Sequence, residues 1–125
     1  MAAPNIVSTA TMTLEVTGGA LTTSAATLVN NAASSNTVVK IVSLYVANID
    51  GTNSATATIS HYTQDDVGGT PYAIASTIAV AADSTVVIID ENSPVYLTED
   101  SSLGGLASAN GDLQYVVSYQ IINDA

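Results

Sequence analysis

The side chains in this sequence that could do chemistry are few and loosely spaced. His61 is the only histidine and there is no cysteine. A catalytic His61 would depend on Ser or Asp residues far away in sequence, because no thiol or second imidazole exists to complete a dyad. It falls on a strand face shared with Ala57 and Ile59, which is the setting of a hydrogen-bonded or rim histidine. Zinc held by His61 and carboxylates finds no ligand spacing. Oxygen ligands are better supplied. The clusters Asp65-Asp66, Asp90-Glu91-Asn92 and Glu99-Asp100 offer the loop carboxylates and amides that Ca²⁺ prefers. The same residues in solvated turns cap their own backbone, and no twelve-residue EF-hand pattern is present. The Gly-Gly pairs in turns match neither a phosphate-binding loop nor a dinucleotide fingerprint. No catalytic, cofactor-binding or metal-ligating residue is assigned, and no enzyme is expected.

Lys40 and the tyrosines complete the inventory. Lys40 is the only basic residue and stands among Val and Ile, so it is expected to reach a rim along its aliphatic stem and meet a carboxylate there. Tyr45, Tyr62, Tyr72, Tyr96, Tyr115 and Tyr119 could form a sugar-stacking platform, since each joins an aromatic body to a polar tip. They serve equally as amphipathic anchors at a protein interface, and no Trp accompanies them.

The overall charge removes whole classes of function. Eleven acidic residues face a single lysine, a formal net charge of −10. No direct nucleic-acid binding is expected, because that affinity comes mainly from Lys and Arg displacing counterions. Anionic membrane surfaces are disfavoured for the same reason. The first residues, Met1-Ala2-Ala3-Pro4-Asn5, lack the basic and apolar regions of a secretory signal. Apolar stretches stay far short of the ~20 residues of a spanning helix. A soluble protein without an export signal of its own is expected.

The elements that must carry these residues read as strands. Asn36 to Ile49 is the longest, dense in β-branched residues and free of Gly and Pro. With period two, Val38, Lys40, Val42, Leu44 and Val46 share one face, and Val39, Ile41, Ser43, Tyr45, Ala47 and Ile49 the other. Both faces are largely apolar, which predicts a central strand covered on both sides or one that changes partners along its length. Before it, residues 1–10 read as a flexible arm. Thr11–Val16 reads as a half-buried strand stopped by Gly18-Gly19, and Ala20–Asn30 as an edge strand, with a short helix as the alternative. After it come Ser54–Tyr62, antiparallel to the central strand, then Tyr72–Val80, Thr85–Ile89 and Val95–Leu97. Ser101–Ala109 reads as a strand interrupted by a bulge or sharp bend at Gly104-Gly105, Asn110-Gly111 as a two-residue hairpin, and Asp112–Ile122 as the last strand. Roughly eight short strands and no convincing helix predict a single all-β domain over residues 11–125, an antiparallel β-sandwich or jelly roll. Ile41, Leu44, Val46, Ile59, Ile78, Ile88, Val117 and Tyr119 are the expected core or buried subunit face. A core without Phe or Trp buries little per residue, so a homo-oligomer, dimer or trimer, is expected to add stability.

The cadence Val38-Val39-Lys40-Ile41-Val42-Ser43-Leu44-Tyr45-Val46-Ala47-Asn48-Ile49-Asp50-Gly51 belongs to a wider pattern. It is followed by Ala81-Ala82-Asp83-Ser84-Thr85-Val86-Val87-Ile88-Ile89-Asp90, by Asn92-Ser93-Pro94-Val95-Tyr96-Leu97 and by the ending Val117-Ser118-Tyr119. Over about residues 27–122 the chain resembles small β-sandwich virion proteins of tailed bacteriophages, notably marine and cyanobacterial ones. Where such proteins often end in Ser-Tyr-Glu, this chain has Ser118-Tyr119-Gln120. The resemblance implies a capsid decoration (cement) protein on the virion surface, assembled in the host cytoplasm, with the major capsid protein as partner. It equally embraces neck, tail or fibre parts, where a sandwich would bind carbohydrate or receptor. It implies no catalytic residues.

Overall fold

The β-branched runs become nine strands and no helix among residues 9–124, which are the residues that the structure, a computed structural model, describes. The strands are β1 (Thr9–Ala20), β2 (Ala26–Asn31), β3 (Thr37–Asn48), β4 (Ala55–Gln64), β5 (Gly68–Val80), β6 (Thr85–Ile89), β7 (Val95–Leu97), β8 (Ser101–Ala107) and β9 (Leu113–Asp124). The expected arm at residues 1–10 lies outside the described residues as far as position 8; Thr9 and Ala10 open β1.

Two antiparallel sheets form. One has the order β1-β9-β3-β6, with β7 following β6 along the same edge of β3, and the other has the order β2-β8-β4-β5. The pairings nest: β4 with β5, β3 with β6 and β7, β2 with β8, β1 with β9. That is one long hairpin with β4 and β5 at its tip, rolled up until β9 also meets β3 and β8 meets β4. This is the jelly roll.

Between the sheets lie Ile41, Leu44, Val46, Ile59, Leu103, Leu113 and Val117, all with no accessible surface, joined by Leu21, Leu97 and Ile89. Ile78, Ile88 and Tyr119 pack against this core while partly buried.

The roll corrects several local expectations. Ser54–Tyr62 does not pair with the central strand, because β3 and β4 belong to opposite sheets. For the same reason Asn110-Gly111 is no two-residue hairpin. It turns the chain across the sandwich, with Gly111 at φ +81°, its N–H donating to Leu21 O (3.2 Å) and Asn110 Oδ1 accepting from Thr23 N (2.9 Å). Strict alternation also fails in β3. Ile41 pairs with Tyr119 but Ser43 with Ser118, so one extra residue bulges out near Val42. The inward face is therefore Val39, Ile41, Leu44 and Val46, and the outward one Val38, Lys40, Ser43, Tyr45 and Ala47. The strand does change partners partway, from β7 at Val39–Ile41 to β6 at Leu44–Ala47.

Gly104-Gly105 does not interrupt β8, whose register with β4 is continuous from Ala107 to Ser102. The shift lies on the β2 side, between Thr27 and Val29. The glycines are there for room. A Cβ on Gly104 would stand 2.5 Å from Val67 Cγ1 and 2.6 Å from Tyr62 Cε1, and one on Gly105 2.8 Å from Ile59 Cδ1. β1 likewise runs through Gly18-Gly19, which pair with Val116 and Tyr115.

Candidate functional site

The acidic turns fold mostly onto themselves. Asp50 Oδ1 accepts from Thr52 N (2.8 Å) and Asn53 N (3.3 Å), and these bonds hold its carboxyl below its ordinary value. Asp90 Oδ1 does the same for Asn92 N (2.9 Å) and Ser93 N (3.1 Å). These are backbone caps of the kind Asp supplies in turns.

Asp65 and Asp100, by contrast, are brought together from 35 residues apart. Asp65 N donates to Asp100 Oδ1 (3.1 Å), while Asp65 Oδ2 accepts from Ala33 N (3.4 Å). Ala33, Ser34, Glu99 and Asp100 line a small cleft beside them. The carboxylates act here as acceptors tying the β2–β3, β4–β5 and β7–β8 connections. Among the described residues no three His, Asp or Glu side chains converge as metal ligands would.

His61 stands half-buried on the inward side of β4, beyond Ile59, with Leu103 and Tyr72 as cross-strand neighbours. Neither is a nucleophile or an orienting acid. Among the described residues Lys40 does not meet the expected carboxylate: its cross-strand neighbours are Gln120 on β9 and Tyr96 on β7. The tyrosines are scattered. Tyr115 and Tyr119 line the inner face of β9, Tyr62 covers Gly104 on the other sheet, and Tyr72 stands on the β5 edge. Tyr45 and Tyr96 alone share the outer face of the five-stranded sheet, too few for a stacking platform.

Two buried asparagines do more than sequence reasoning assigned to them. Asn31 Nδ2 donates to Leu97 O (2.9 Å) and Thr37 O (3.0 Å), and its Oδ1 accepts from Ser35 and Thr37 hydroxyls. Asn48 Nδ2 donates to Val80 O (2.9 Å) and Asn53 O (3.0 Å), and its Oδ1 accepts from Asp50 N (2.9 Å). One side chain links β2 to β7, the other β3 to β5, so each joins the two sheets. Their only sequence signal is an Asn at the end of an apolar strand.

What remains is a surface. The expected half-buried face of β1 is exposed: Met12 at 60%, Leu14 at 70% and Val16 at 66%. The physical reason is the side of the sheet: register with β9 aligns Met12, Leu14 and Val16 with its outward residues Ile122, Gln120 and Ser118, and Glu15 and Thr17 with its inward Tyr119 and Val117. Register carries this stripe across the sheet. Gly18, Val116, Tyr45 and Val87 form one cross-strand row, and Leu14, Gln120, Lys40 and Tyr96 another. Met12, Leu14, Val16, Tyr45, Val87, Tyr96 and Val116 thus all look outward from one sheet and all are exposed. Nine of the eleven acidic residues lie in connections between strands, and Glu15 sits on the opposite face of β1. No carboxylate occupies an outer-face position of this sheet between residues 12 and 122. The other sheet differs, with Thr56, Thr58, Ser60 and Ser102 along its outward positions.

The fold has a counterpart among solved structures. A chain of Bacillus endospore appendages, described as forming a novel family of disulfide-linked pili, superposes with a TM-score of 0.55 at 16% identity, over 92% of this chain and 88% of that one. At that identity the likeness is one of fold. No protein-family model and no curated protein matches the sequence.

Proposed function

We propose that this chain is a virion structural subunit acting by contact rather than catalysis, and specifically a capsid decoration (cement) protein on the head of a tailed bacteriophage. The observation that carries the reading is the broad apolar face, free of carboxylates between residues 12 and 122, on a molecule that brings no catalytic or metal-binding group together among its described residues. Monomeric proteins seldom leave such a face to water, and an extended one marks a contact surface. The resemblance of residues 27–122 to phage virion proteins supplies the setting. In it the protein assembles in the host cytoplasm, joins the major capsid protein on the shell, and uses the residues ahead of β1 as an arm to a neighbouring subunit. The acidic connections then face solvent or basic patches of the shell.

A second reading is a neck, tail or fibre component carrying a receptor- or carbohydrate-binding sandwich. The fold likeness to a subunit of appendages favours it, since the same roll serves there in a pilus. A disulfide linkage like that of those pili is not open to this chain, which has no cysteine.

The experiment is to add purified protein to decoration-free capsids and follow binding and melting. Saturable binding at repeated lattice positions with a raised melting temperature is expected. Capsids that take up none, with and without Ca²⁺, or a protein found only at a fibre tip, would overturn the cement role.

A further inference from the structure

We infer that the outer face of the β1-β9-β3-β6 sheet is the dimer interface, packed face to face against the same surface of a second copy. This rests on the structural-subunit reading and adds to it the partner and the residues.

Three observations select the partner. The first is area. The seven exposed apolar side chains leave on the order of 700 Å² accessible, close to the ~800 Å² that each partner of a stable complex buries. The second is charge. A basic partner would be drawn to the acidic connections, not to a face whose only charge between residues 12 and 122 is Lys40. An apolar, carboxylate-free surface fits another such surface, and in a chain of net charge −10 the copy's own face is one. Stacked this way, the acidic connections stay at the rims, where solvent screens them.

The third is relief. Met12, Leu14 and Val16 make a ridge along one margin, and Val116, Tyr45 and Val87 a second across the sheet. Between them stand the short side chains Ser43 and Ser118, with Gln120 and Lys40 in the next row. A twofold axis normal to the face lays the ridge of each copy toward the other's trough, as the facing surfaces of two sheets interdigitate at about 10 Å. Val38 and Ile122 add almost no accessible area to this face. They occupy outer-face positions and stand outside the core cluster, yet each is only 7% exposed. The outer face of the other sheet carries the half-buried Thr56, Thr58, Tyr62 and Leu106 over the buried Ser60 and Ser102, and none of these is an exposed apolar side chain.

The test is sedimentation equilibrium of the full chain at tens of micromolar, with Leu14→Lys, Val116→Lys and Leu14→Ser beside the wild type. Leu14 and Val116 are exposed in the monomer, so circular dichroism and a cooperative melt should show the variants folded. A wild-type dimer of the 12.6 kDa chain is expected. Each lysine should weaken it by roughly 100-fold or more, since an unpaired charge is buried. Tyr72→Lys, on the β5 edge of the other sheet, should leave it intact. A monomeric wild type, a dimer indifferent to Leu14→Lys and Val116→Lys, or one broken by Tyr72→Lys overturns the inference. Capsid binding, measured separately, keeps the two readings apart. A monomer that decorates capsids refutes this interface alone, whereas a dimer that binds none refutes the cement role alone.

Discussion

At the scale of single residues, the polar groups that matter in this molecule hold structure. Asn31 and Asn48 each satisfy two carbonyl acceptors with one amide and accept bonds in return. Replacing either by Ala strands buried carbonyl groups of the opposite sheet, at a cost of about 2–3 kcal/mol. Urea unfolding should show a lower midpoint with an unchanged slope for Asn31→Ala and for Asn48→Ala; a loss under ~0.5 kcal/mol in both would contradict the stapling role. Tyr115 gives a pH-dependent counterpart. Burial, and secondarily the neighbouring Tyr119, raises its phenol above the ordinary 10.0. Above pH 10 the folded state then holds a proton that the unfolded state has released. Stability must therefore fall as pH rises from 10, and is unaffected by this group below it. Tyr115→Phe should flatten that alkaline decline in melting temperature; an identical decline in the variant would count against it.

At the scale of elements, β3 shows how a strand can obey its hydrophobic pattern while breaking its period. Two-fold alternation puts Leu44 and Val46 with Lys40, and the structure puts them with Val39 and Ile41, because the bulge near Val42 shifts the phase by one. Without that shift Lys40 would share the core face with Leu44. The extra residue is thus accommodated outside the ladder. Deleting Val42 should keep both Ile41 and Leu44 inward and leave a folded protein with a cooperative melt. Deleting Tyr45 from the same strand should turn Val46 outward and abolish cooperative unfolding. Thermal melts of the two deletions, followed by circular dichroism, compare them directly. Equal outcomes would mean that the bulge does not set the phase.

At the scale of the whole molecule, charge and apolar surface are segregated. The strands carry the apolar area and the connections carry nine of eleven acidic groups. With one lysine to offset them, these carboxylates repel one another in the compact state. Added salt should raise the melting temperature between low and ~0.5 M ionic strength, as the Debye length contracts to a few ångström. A melting temperature that falls with NaCl would point instead to stabilising ion pairs. The same segregation lets two copies approach through a sheet face without bringing carboxylates together.

The all-β class, the strand positions along most of the chain, and the turn chemistry of Asp50 and Asp90 were legible in the sequence, because each depends on neighbours a few residues away. Core residues such as Ile41, Leu44, Ile59 and Val117 were legible too, since apolar β-branched runs have nowhere else to go. Other features required the roll. The phase of β3, the arch at Asn110-Gly111 and the bridging of sheets by Asn31 and Asn48 depend on which strands become neighbours across 30 to 90 residues. The exposed face followed the same rule. Met12, Leu14 and Val16 have the alternation of a half-buried strand, and alternation shows only that one side is apolar. Whether that side meets an interior, water or another molecule is decided by register with the neighbouring strand, and β9 puts the apolar side of β1 on the outer face of the sheet.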